Sequence, residues 1–337
     1  MRFEPHLWGV VLSGGEGVRL RALTRQICGD ERPKQYVPIY GNRTLLRRTL
    51  DRVALRIRPS RTAVVTLRSH SRFFGEHWAG PEPPRVLIQP TDRGTAVGIL
   101  FPIHWIARQD PDAIVAVFPS DHFVSEPATF MAFVARIAAW VHEHPARLVL
   151  LGAHPTSPEV EYGWIELGRP LDSRDGRQMW EVRRFWEKPA AERARLCLEA
   201  GCLWNTLVLV GTATTFLRAA REAVPEVCER LARAVPFFES DAEAWAQAFA
   251  LIPRADFSRA ILESCPPSLA VAAVPRLTWS DLGSPRRVLE ISGGDFGVCP
   301  RGWSHPTSPH CDIGASLGEM RDEPRGSGTN ARQAAHG

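Results

Sequence analysis

The sequence has no long hydrophobic run. Across its 337 residues, no stretch approaches the roughly 18 consecutive apolar residues of a membrane-spanning helix. The opening residues, MRFEPHLWGVV, include Glu4 and Pro5 and lack the apolar centre of a secretory signal peptide. We therefore expect a cytoplasmic protein that has no membrane partner.

Cysteines with metal-binding spacing are also absent. The seven cysteines are odd in number and form no CxxC or zinc-finger pattern, and no HExxH string occurs. We expect reduced thiols that mostly pack as small apolar side chains, and no structural zinc. The cysteines are residues 28, 197, 202, 228, 265, 299 and 311.

Neither sign of charge dominates the chain. The 41 basic and 37 acidic side chains leave a net charge of +4, and the basic residues are scattered. A polynucleotide-binding groove requires clustered cations, so we expect no nucleic-acid partner. Hydrophobic residues at 44% and charged residues at 23% are ordinary for a globular protein, and the length fits one large or two ordinary domains.

A glycine-rich loop at residues 12–38 joins two apolar runs, WGVVL and YVPI. Gly14, Gly15 and Gly17 can adopt backbone angles that a Cβ disfavours, so successive N–H groups can face one anion, while Arg19 and Lys34 supply positive charge. This composition indicates a phosphate-binding loop, although a simple turn has a similar composition. It is neither GxxxxGK[ST] nor GxGxxG, because Leu20 replaces the third glycine.

Predicted strands and helices alternate along the first half of the chain. This spacing predicts an α/β fold with a doubly wound, mostly parallel sheet. Ligands of such sheets bind beyond the carboxyl ends of the strands, where the glycine loop, Gln89 and Asp121 all fall. The predicted strands are residues 8–12, 62–67, 85–88, 113–118 and 148–151, and the predicted helices are 44–57, 94–107 and 130–141.

The pattern changes after residue 153. Short strands and helices there predict an insertion that covers the crevice, before a strand at 269–274 returns to the sheet. From residue 292 the composition, rich in Gly, Pro, Ser and His, predicts a C-terminal tail that is partly disordered. The predicted elements are strands at 163–167 and 179–184, a charged turn at 172–176, and helices at 191–200, 212–223, 241–251 and 256–263.

Several short motifs occur in a fixed order between residues 7 and 290. The loop contains GGEGVRL and PKQ, and it is followed by QPTDRGTA, FPSDH, EYGWI, FWEKP, LWNT and WSDLGS. Together these strings resemble the signature of sugar-1-phosphate nucleotidylyltransferases, and PKQ in particular resembles mannose-1-phosphate guanylyltransferases. Any one string could occur by chance, but six in the family's order after the loop form a specific pattern.

The resemblance implies an enzyme with a Rossmann-like nucleotidyltransferase domain at residues 1–291. Its nucleotide half would be about 1–153 and its inserted sugar-binding subdomain about 154–291, followed by the tail at 292–337. Such an enzyme transfers a nucleoside monophosphate, here most naturally GMP from GTP because of PKQ and RGTA, to a hexose-1-phosphate such as mannose-1-phosphate. A homo-oligomer is left open.

The family's functional residues map onto matching positions. Because a sugar phosphate is largely dianionic at pH 7, its oxygen needs no general base, and the site must neutralise charge with Mg²⁺ and cations. We assign Mg²⁺ to Asp121 and Asp281, although a helix cap and a turn are their alternatives. Arg19 and Lys34 would bind the triphosphate and Lys188 the sugar phosphate. The nucleotide-binding set is Ser13, Gly14, Gly15, Gly17, Gln89, Gly94 and Thr95, and the sugar-binding set is Gly163, Glu187 and Asn205.

The chain departs from the family pattern in several places. Arg21-Ala22-Leu23 replaces Trp-Pro-Leu. The spacer before PKQ is a few residues longer and includes residues 28–31. Glu161 replaces a glycine, Thr206-Leu207 replaces Ser-Gly, and Asp92 replaces an asparagine. These changes leave open another base, another sugar-1-phosphate, or a regulatory protein that binds a nucleotide without turnover.

Overall fold

The computed structural model describes residues 6–73, 82–172, 178–264 and 267–292. Two predictions lie outside these ranges: the charged turn, apart from its first residue, and the disordered tail, apart from Ser292. No helix within the described ranges has both the length and the apolar character needed to cross a bilayer.

A nine-stranded sheet forms the centre of the fold. In sequence its strands are β1 (Leu7–Leu12), β2 (Thr62–Leu67), β3 (Arg85–Gln89), β4 (Ile114–Pro119), β6 (Leu148–Ala153), β7 (Gly163–Asp172), β8 (Met179–Glu187), β9 (Leu203–Thr212) and β10 (Leu269–Ala273). Two short strands, β5 (Phe123–Val124) and β11 (Trp279–Ser280), form a separate antiparallel pair. The order in the sheet is β3-β2-β1-β4-β9-β6-β10-β8-β7, and β7 also pairs with β9.

Most strands of this sheet point the same way. β1 is parallel to β2 and β4, β2 to β3, and β6 to β10. β9 is antiparallel to β4, β6 and β7, and β8 is antiparallel to β10 and β7. Only β8 and β9 of these nine strands therefore oppose the others, which confirms the predicted mostly parallel α/β sheet. β9 lies in the middle of the sheet but is not among the strands predicted from the sequence.

Helices cover both faces of the sheet. One face packs on α3, α6, α7 and α8, and the other packs on α2 and α4. Thr44 caps α2 by accepting a hydrogen bond from the N–H of Arg47, and Asp241 caps α8 in the same way. The helices are α1 (Arg21–Cys28), α2 (Leu45–Val53), α3 (Thr95–Gln109), α4 (Pro127–Glu143), α5 (Ala191–Glu199), α6 (Ala213–Ala223), α7 (Pro225–Ala234), α8 (Ala242–Ala250) and α9 (Pro285–Ser292).

Alternating side chains of each central strand enter two different cores. In β4, Val115 and Val117 join the core beneath α3, while Ala116 and Phe118 join the core beneath α4. This arrangement explains why the strand reads as a continuous apolar run, since both of its faces are buried. The prediction of a doubly wound sheet is confirmed.

Four helical elements differ from the sequence-based expectation. α1, α7 and α9 are not predicted, and the predicted helix at 256–263 is instead a π-helical turn at Ser258–Leu262. A third, smaller core beneath the glycine loop includes Leu20 and Leu23 from the start of α1 and Leu282 and Val288 near α9. The unpredicted α1 and α9 therefore support the loop from below. The predicted boundary near residue 153 stays a prediction. β9 and β10, which follow it, belong to the same sheet as β1 to β4 and β6.

Candidate active site

The glycine loop leaves the carboxyl end of β1 and is held from inside the protein. The buried Gln35 donates its Nε2 to the carbonyl oxygens of Ser13 (3.1 Å) and Gly15 (2.8 Å), and the Tyr36 hydroxyl also donates to Ser13 O (3.2 Å). The loop carbonyls are thus used on the protein side. Within the described residues, the backbone N–H groups of residues 14–17 have no acceptor. Such unpaired N–H groups on a partly exposed loop can receive an anion.

Only one of the three loop glycines requires a glycine-specific conformation. Gly17 has φ 60°, and a Cβ there would lie 3.0 Å from the backbone nitrogen of Lys34. Gly14 and Gly15 do not have positive φ, so of the three glycines that can adopt such angles only Gly17 does so. A Cβ at Gly15 would meet nothing within 4 Å. Gly15 thus borders open space, where a ligand could approach the loop.

Substitutions at Gly15 and Gly17 should separate ligand binding from folding. Gly15→Val should leave the free energy of unfolding nearly unchanged but weaken nucleotide binding at least about tenfold, because its side chain would fill the ligand's space. Gly17→Val should instead lower the free energy of unfolding by about 1–3 kcal/mol, because it forces a β-branched residue to positive φ. Thermal unfolding and calorimetric titration with GTP measure the two effects. Unchanged GTP affinity in Gly15→Val would mean that the loop is only a turn.

Lys34 connects the segments that carry the two predicted metal carboxylates. Its buried ammonium lies 3.1 Å from Asp121 Oδ2 and donates to the carbonyl oxygens of Asp281 (2.6 Å) and Leu282 (3.3 Å). Asp121 follows β4, whereas Asp281 follows β11, some 160 residues later in the chain. The structure therefore brings three predicted site residues from distant motifs to one point.

The Asp281 carboxylate is fixed on one side and open on the other. Its Oδ1 accepts hydrogen bonds from Tyr162 (3.0 Å), Arg287 (3.0 Å) and the N–H of Gly283 (2.9 Å), whereas the nearest ion-pair partner of Oδ2 is Arg19 at 3.9 Å. Burial alone would raise the pKa of Asp281, but the nearby cations and this N–H hold it below its usual value. The carboxylate therefore stays ionised.

His122 fills the space behind Asp121 as a neutral side chain. Burial lowers the pKa of His122 to about 4, despite the opposing effect of the nearby carboxylates. Its ring packs edge-on against Trp279 at a centroid distance of 5.3 Å. A neutral histidine adds no positive charge to this part of the crevice.

Gln89 places an unpaired amide oxygen beside the glycine loop. The residue ends β3 and is 4% exposed, and its buried Oε1 has no hydrogen-bond partner in the described part of the chain. A Cβ at Gly14 would lie 3.6 Å from Gln89 Nε2. A buried acceptor without a partner is costly, so this position is suited to a ligand that donates hydrogen bonds.

Gly94 and Thr95 contact another segment of the protein. Gly94 has φ 87°, and a Cβ there would collide with the carbonyl oxygen of Ala255. The Thr95 hydroxyl bonds to Asp256 Oδ2 (3.0 Å) and accepts from the N–H of Phe257 (2.8 Å). The sequence predicts that Gly94 allows a base to approach closely. Close packing against Ala255 is by itself enough to explain a glycine at this position. Nucleotide binding by these two residues stays a prediction.

The three predicted sugar-binding residues lie together. Gly163 pairs with Glu187 across β7 and β8, and a Cβ at Gly163 would lie 3.0 Å from Glu187 Oε2 and 3.2 Å from Asn205 Cβ. Burial is the main cause that raises the pKa of Glu187. Lys188 Nζ lies 3.7 Å from Glu187 Oε1 and remains about half exposed. A narrow space with a carboxylate, an amide and a cation at its edge suits a polar ligand with hydroxyl groups.

Three residues at the crevice have strained backbones. Lys188, Leu207 and Leu282 have φ of 50°, 55° and 48°, respectively, although none is a glycine. Leu207 stands where the resembled motif has glycine, so the local conformation is kept while the residue changes. Strain of this kind costs about 1–3 kcal/mol per residue and tends to cluster at functional sites.

Sequence reasoning missed several residues that shape this site. Tyr162 and Arg287 hold Asp281, and Glu159 bonds to Arg287. Arg287 is only 6% exposed, which is unusual for an unassigned arginine. Their one sequence signal is proximity to the EYGWI and WSDLGS motifs. The PKQ motif gives Gln35 no role of its own, whereas its side-chain amide holds the glycine loop through the carbonyl oxygens of Ser13 and Gly15.

Known proteins resemble this chain over most of its length. The sequence profile of the nucleotidyl transferase family matches residues 8–295. The xanthan biosynthesis protein XanB of Xanthomonas campestris pv. campestris strain B100 is 30% identical over 295 residues, which cover 85% of this chain and 59% of XanB. The mannose-1-phosphate guanylyltransferase of Escherichia coli K12 is 27% identical over 301 residues, which cover 86% of this chain and 60% of that protein. The chain thus spans about three fifths of the length of these relatives.

A solved structure shows the same fold. The crystal structure of mannose-1-phosphate geranyltransferase from Thermus thermophilus matches with a TM-score of 0.71 at 27% identity, covering 84% of this chain and 79% of that one. The family inferred from the motifs is confirmed by the profile, the relatives and the fold. This chain belongs to the nucleotidyl transferase family and groups with its sugar-1-phosphate nucleotidyltransferases.

Proposed function

We propose that this protein transfers GMP from GTP to mannose-1-phosphate, giving a nucleotide sugar and pyrophosphate. The observation that carries the proposal is the meeting of Lys34 with Asp121 and the Asp281 segment beside the open face of the glycine loop. Such a site can hold a triphosphate and neutralise charge at its α-phosphorus. Two relatives that are mannose-1-phosphate guanylyltransferases support guanosine and mannose.

The donor set at the carboxylates fits Mg²⁺. Asp121 and Asp281 are both partly shielded, and Asp281 Oδ2 accepts no hydrogen bond from the described residues. Mg²⁺ is commonly bound by one or two carboxylates together with phosphate oxygens and water. Groups of three or more His, Cys, Asp or Glu side chains suited to a metal are not found in the described ranges, so an all-protein cage is not the expected mode. Held by these two aspartates, Mg²⁺ would supply positive charge at the phosphates.

The protein's own residues would position the two substrates. The unpaired N–H groups at 14–17 would receive the triphosphate, and Arg19 and Lys34 would offset its charge. The Gln89 amide oxygen would accept hydrogen bonds from the base. Guanine offers two neighbouring donors, its N1–H and N2–H₂ groups, on one edge. Glu187 and Asn205 would bond to sugar hydroxyls, leaving the sugar phosphate near Lys188 with an oxygen free to attack the α-phosphorus.

A panel of substrates tests the proposal. Purified protein with Mg²⁺ is incubated with each nucleoside triphosphate and either mannose-1-phosphate or glucose-1-phosphate, and pyrophosphate release is measured. We expect the highest rate with GTP and mannose-1-phosphate. A different preferred pair would correct the base or the sugar. Binding of GTP with no turnover of any pair would identify a regulatory nucleotide-binding protein.

Lys188→Ala should raise the KM for mannose-1-phosphate about tenfold or more while changing the KM for GTP less than about twofold. Lys188 lies beside Glu187 on the predicted sugar side, and a lost phosphate contact is worth about 1.4 kcal/mol. Steady-state kinetics with each substrate varied in turn measure both constants. Arg184→Ala is the matched control, because it removes an exposed cation from β8, the strand that ends just before Lys188. Equal changes in both KM values would place Lys188 in the wrong half of the site.

A further inference from the structure

Two arginines and two carboxylates form a closed ring at the mouth of the crevice. Arg19 Nη1 donates to Glu161 Oε2, and Arg19 Nη2 lies 3.9 Å from Asp281 Oδ2. Arg287 Nη1 lies 3.0 Å from Asp281 Oδ1 and 3.6 Å from Glu161 Oε2. Each arginine therefore faces both carboxylates, and the four charges sum to zero. Arg19, the cation of the glycine loop, is already paired.

The two arginines of the ring differ in how firmly they are held. Arg287 has a 7% exposed side chain, bonds to Glu159 as well as Asp281, and lies over the Tyr162 ring at 4.3 Å. Arg19 is 51% exposed, and its partner Glu161 is 41% exposed. An exposed ion pair contributes only about 0–1 kcal/mol, so a polyanion can displace it. Arg19 can therefore exchange partners while Arg287 remains in place.

Glu161 is a departure from the motif that the surrounding sequence resembles. The strand that follows it keeps the glycine at Gly163, but position 161 carries a carboxylate in place of the family's glycine. A glycine there would leave Arg19 with Asp281 as its remaining ion-pair partner at 3.9 Å in the described part of the chain. The carboxylate of Glu161 thus adds a competing anion next to the loop that receives phosphate.

We infer that Glu161 is an internal counter-ion that competes with the nucleotide's phosphates for Arg19 and so sets the affinity for the triphosphate. The inference rests on the proposed function. In the free protein, Arg19 pairs with Glu161. When a triphosphate occupies the glycine loop, Arg19 transfers to the phosphate, and the carboxylate that it leaves weakens binding. Glu161 is accordingly a residue that tunes substrate affinity through Arg19.

The test uses equilibrium binding of inorganic tripolyphosphate, measured by calorimetry at low ionic strength. Glu161→Gln should tighten binding about two- to fivefold, the range expected for losing an exposed competing ion pair. In an Arg19→Gln background, the same substitution should change the affinity less than about 1.5-fold, because the competition acts through Arg19. Glu31→Gln is the matched control: Glu31 also lies within residues 12–38 but outside the phosphate-binding residues 14–17, is similarly exposed at 43%, and pairs with Arg25 rather than Arg19.

The possible results separate the role of Glu161 from the proposed function. Unchanged or weaker binding in Glu161→Gln would overturn the inference, since Glu161 would then only position Arg19. A gain that persists without Arg19, or that Glu31→Gln reproduces, would also overturn it, because the effect would be general electrostatics. If neither tripolyphosphate nor GTP bound the wild-type protein or Glu161→Gln, the proposed function itself would fail. GTP binding without an effect of Glu161 would leave that function standing and refute this inference alone.

Discussion

Asp121→Asn should lower kcat by a factor on the order of 10³, equivalent to about 4 kcal/mol of transition-state stabilisation. The substitution keeps the shape of the side chain but removes the negative charge that would hold Mg²⁺ beside Lys34. Asp281→Asn should have a similar effect on turnover. It should also lower the free energy of unfolding, because Asp281 Oδ1 accepts bonds from Tyr162, Arg287 and Gly283.

Pyrophosphate release at saturating substrates, measured over a range of Mg²⁺ concentrations, gives this result directly. Asp30→Asn is the control, because Asp30 lies in the same loop just before PKQ and pairs with Arg32. It should retain near-wild-type kcat. If Asp121→Asn keeps most of its activity at high Mg²⁺, the carboxylate is not a metal ligand and the assignment fails.

Lys34→Met should abolish turnover and destabilise the protein. The substitution fills the same space but leaves Asp121 and two carbonyl oxygens without their cation in a site where Lys34 is 7% exposed. Breaking such a buried pair costs about 3–5 kcal/mol. We therefore expect a clear fall in the thermal unfolding midpoint together with a loss of activity of at least about 10³-fold.

Lys34→Arg sharpens this test. Lys34 and Lys188 are the only lysines in the sequence. The other residues in the count of 41 lysines and arginines are all arginines. A compact ammonium can point at three oxygens around one point, whereas a planar guanidinium cannot. We expect Lys34→Arg to be almost as inactive as Lys34→Met. Lys188→Met, at an exposed site, should change the free energy of unfolding by less than about 0.5 kcal/mol. Near-normal activity in Lys34→Arg would show that any cation suffices.

The doubly wound sheet could be predicted because its strands are buried on both faces. The run at 114–119 is apolar at successive positions, and such short runs between amphipathic helices have few other interpretations. β9 is equally apolar at residues 207–210, but its opening residues, LWNT, include two polar side chains. A strand's position and direction in a sheet depend on partners far away in sequence, so periodicity could not place β9 between β4 and β6.

Two missed helices did carry local signals. Leu20, Leu23 and Ile27 have helical spacing, and the first two pack in the small core beneath the loop. Ser284 followed by Pro285 is a typical helix start, and α9 begins at Pro285. Both helices directly follow a motif, α1 after GGEGVRL and α9 after WSDLGS.

The candidate site could be predicted where a motif names the residue and could not where the residue acts through another. Asp121, Asp281 and Lys34 stand in motifs, and the structure brings them together. Arg287 and Glu159 are 128 residues apart in sequence and meet only in the folded protein. The open space at Gly15 likewise depends on how the chain packs, which a local sequence motif does not specify.

The central position of β9 has a consequence for how the chain reaches its native state. β4 and β6 do not pair with each other, since each hydrogen-bonds to β9, which follows β6 by 50 residues. Until residues 203–212 have left the ribosome, both strands are open edges with unpaired polar backbone groups, which favour aggregation. Long-range pairing of this kind also slows folding. The nascent first half therefore cannot complete its sheet alone, and β9, the segment that would contact the sugar, joins its two parts.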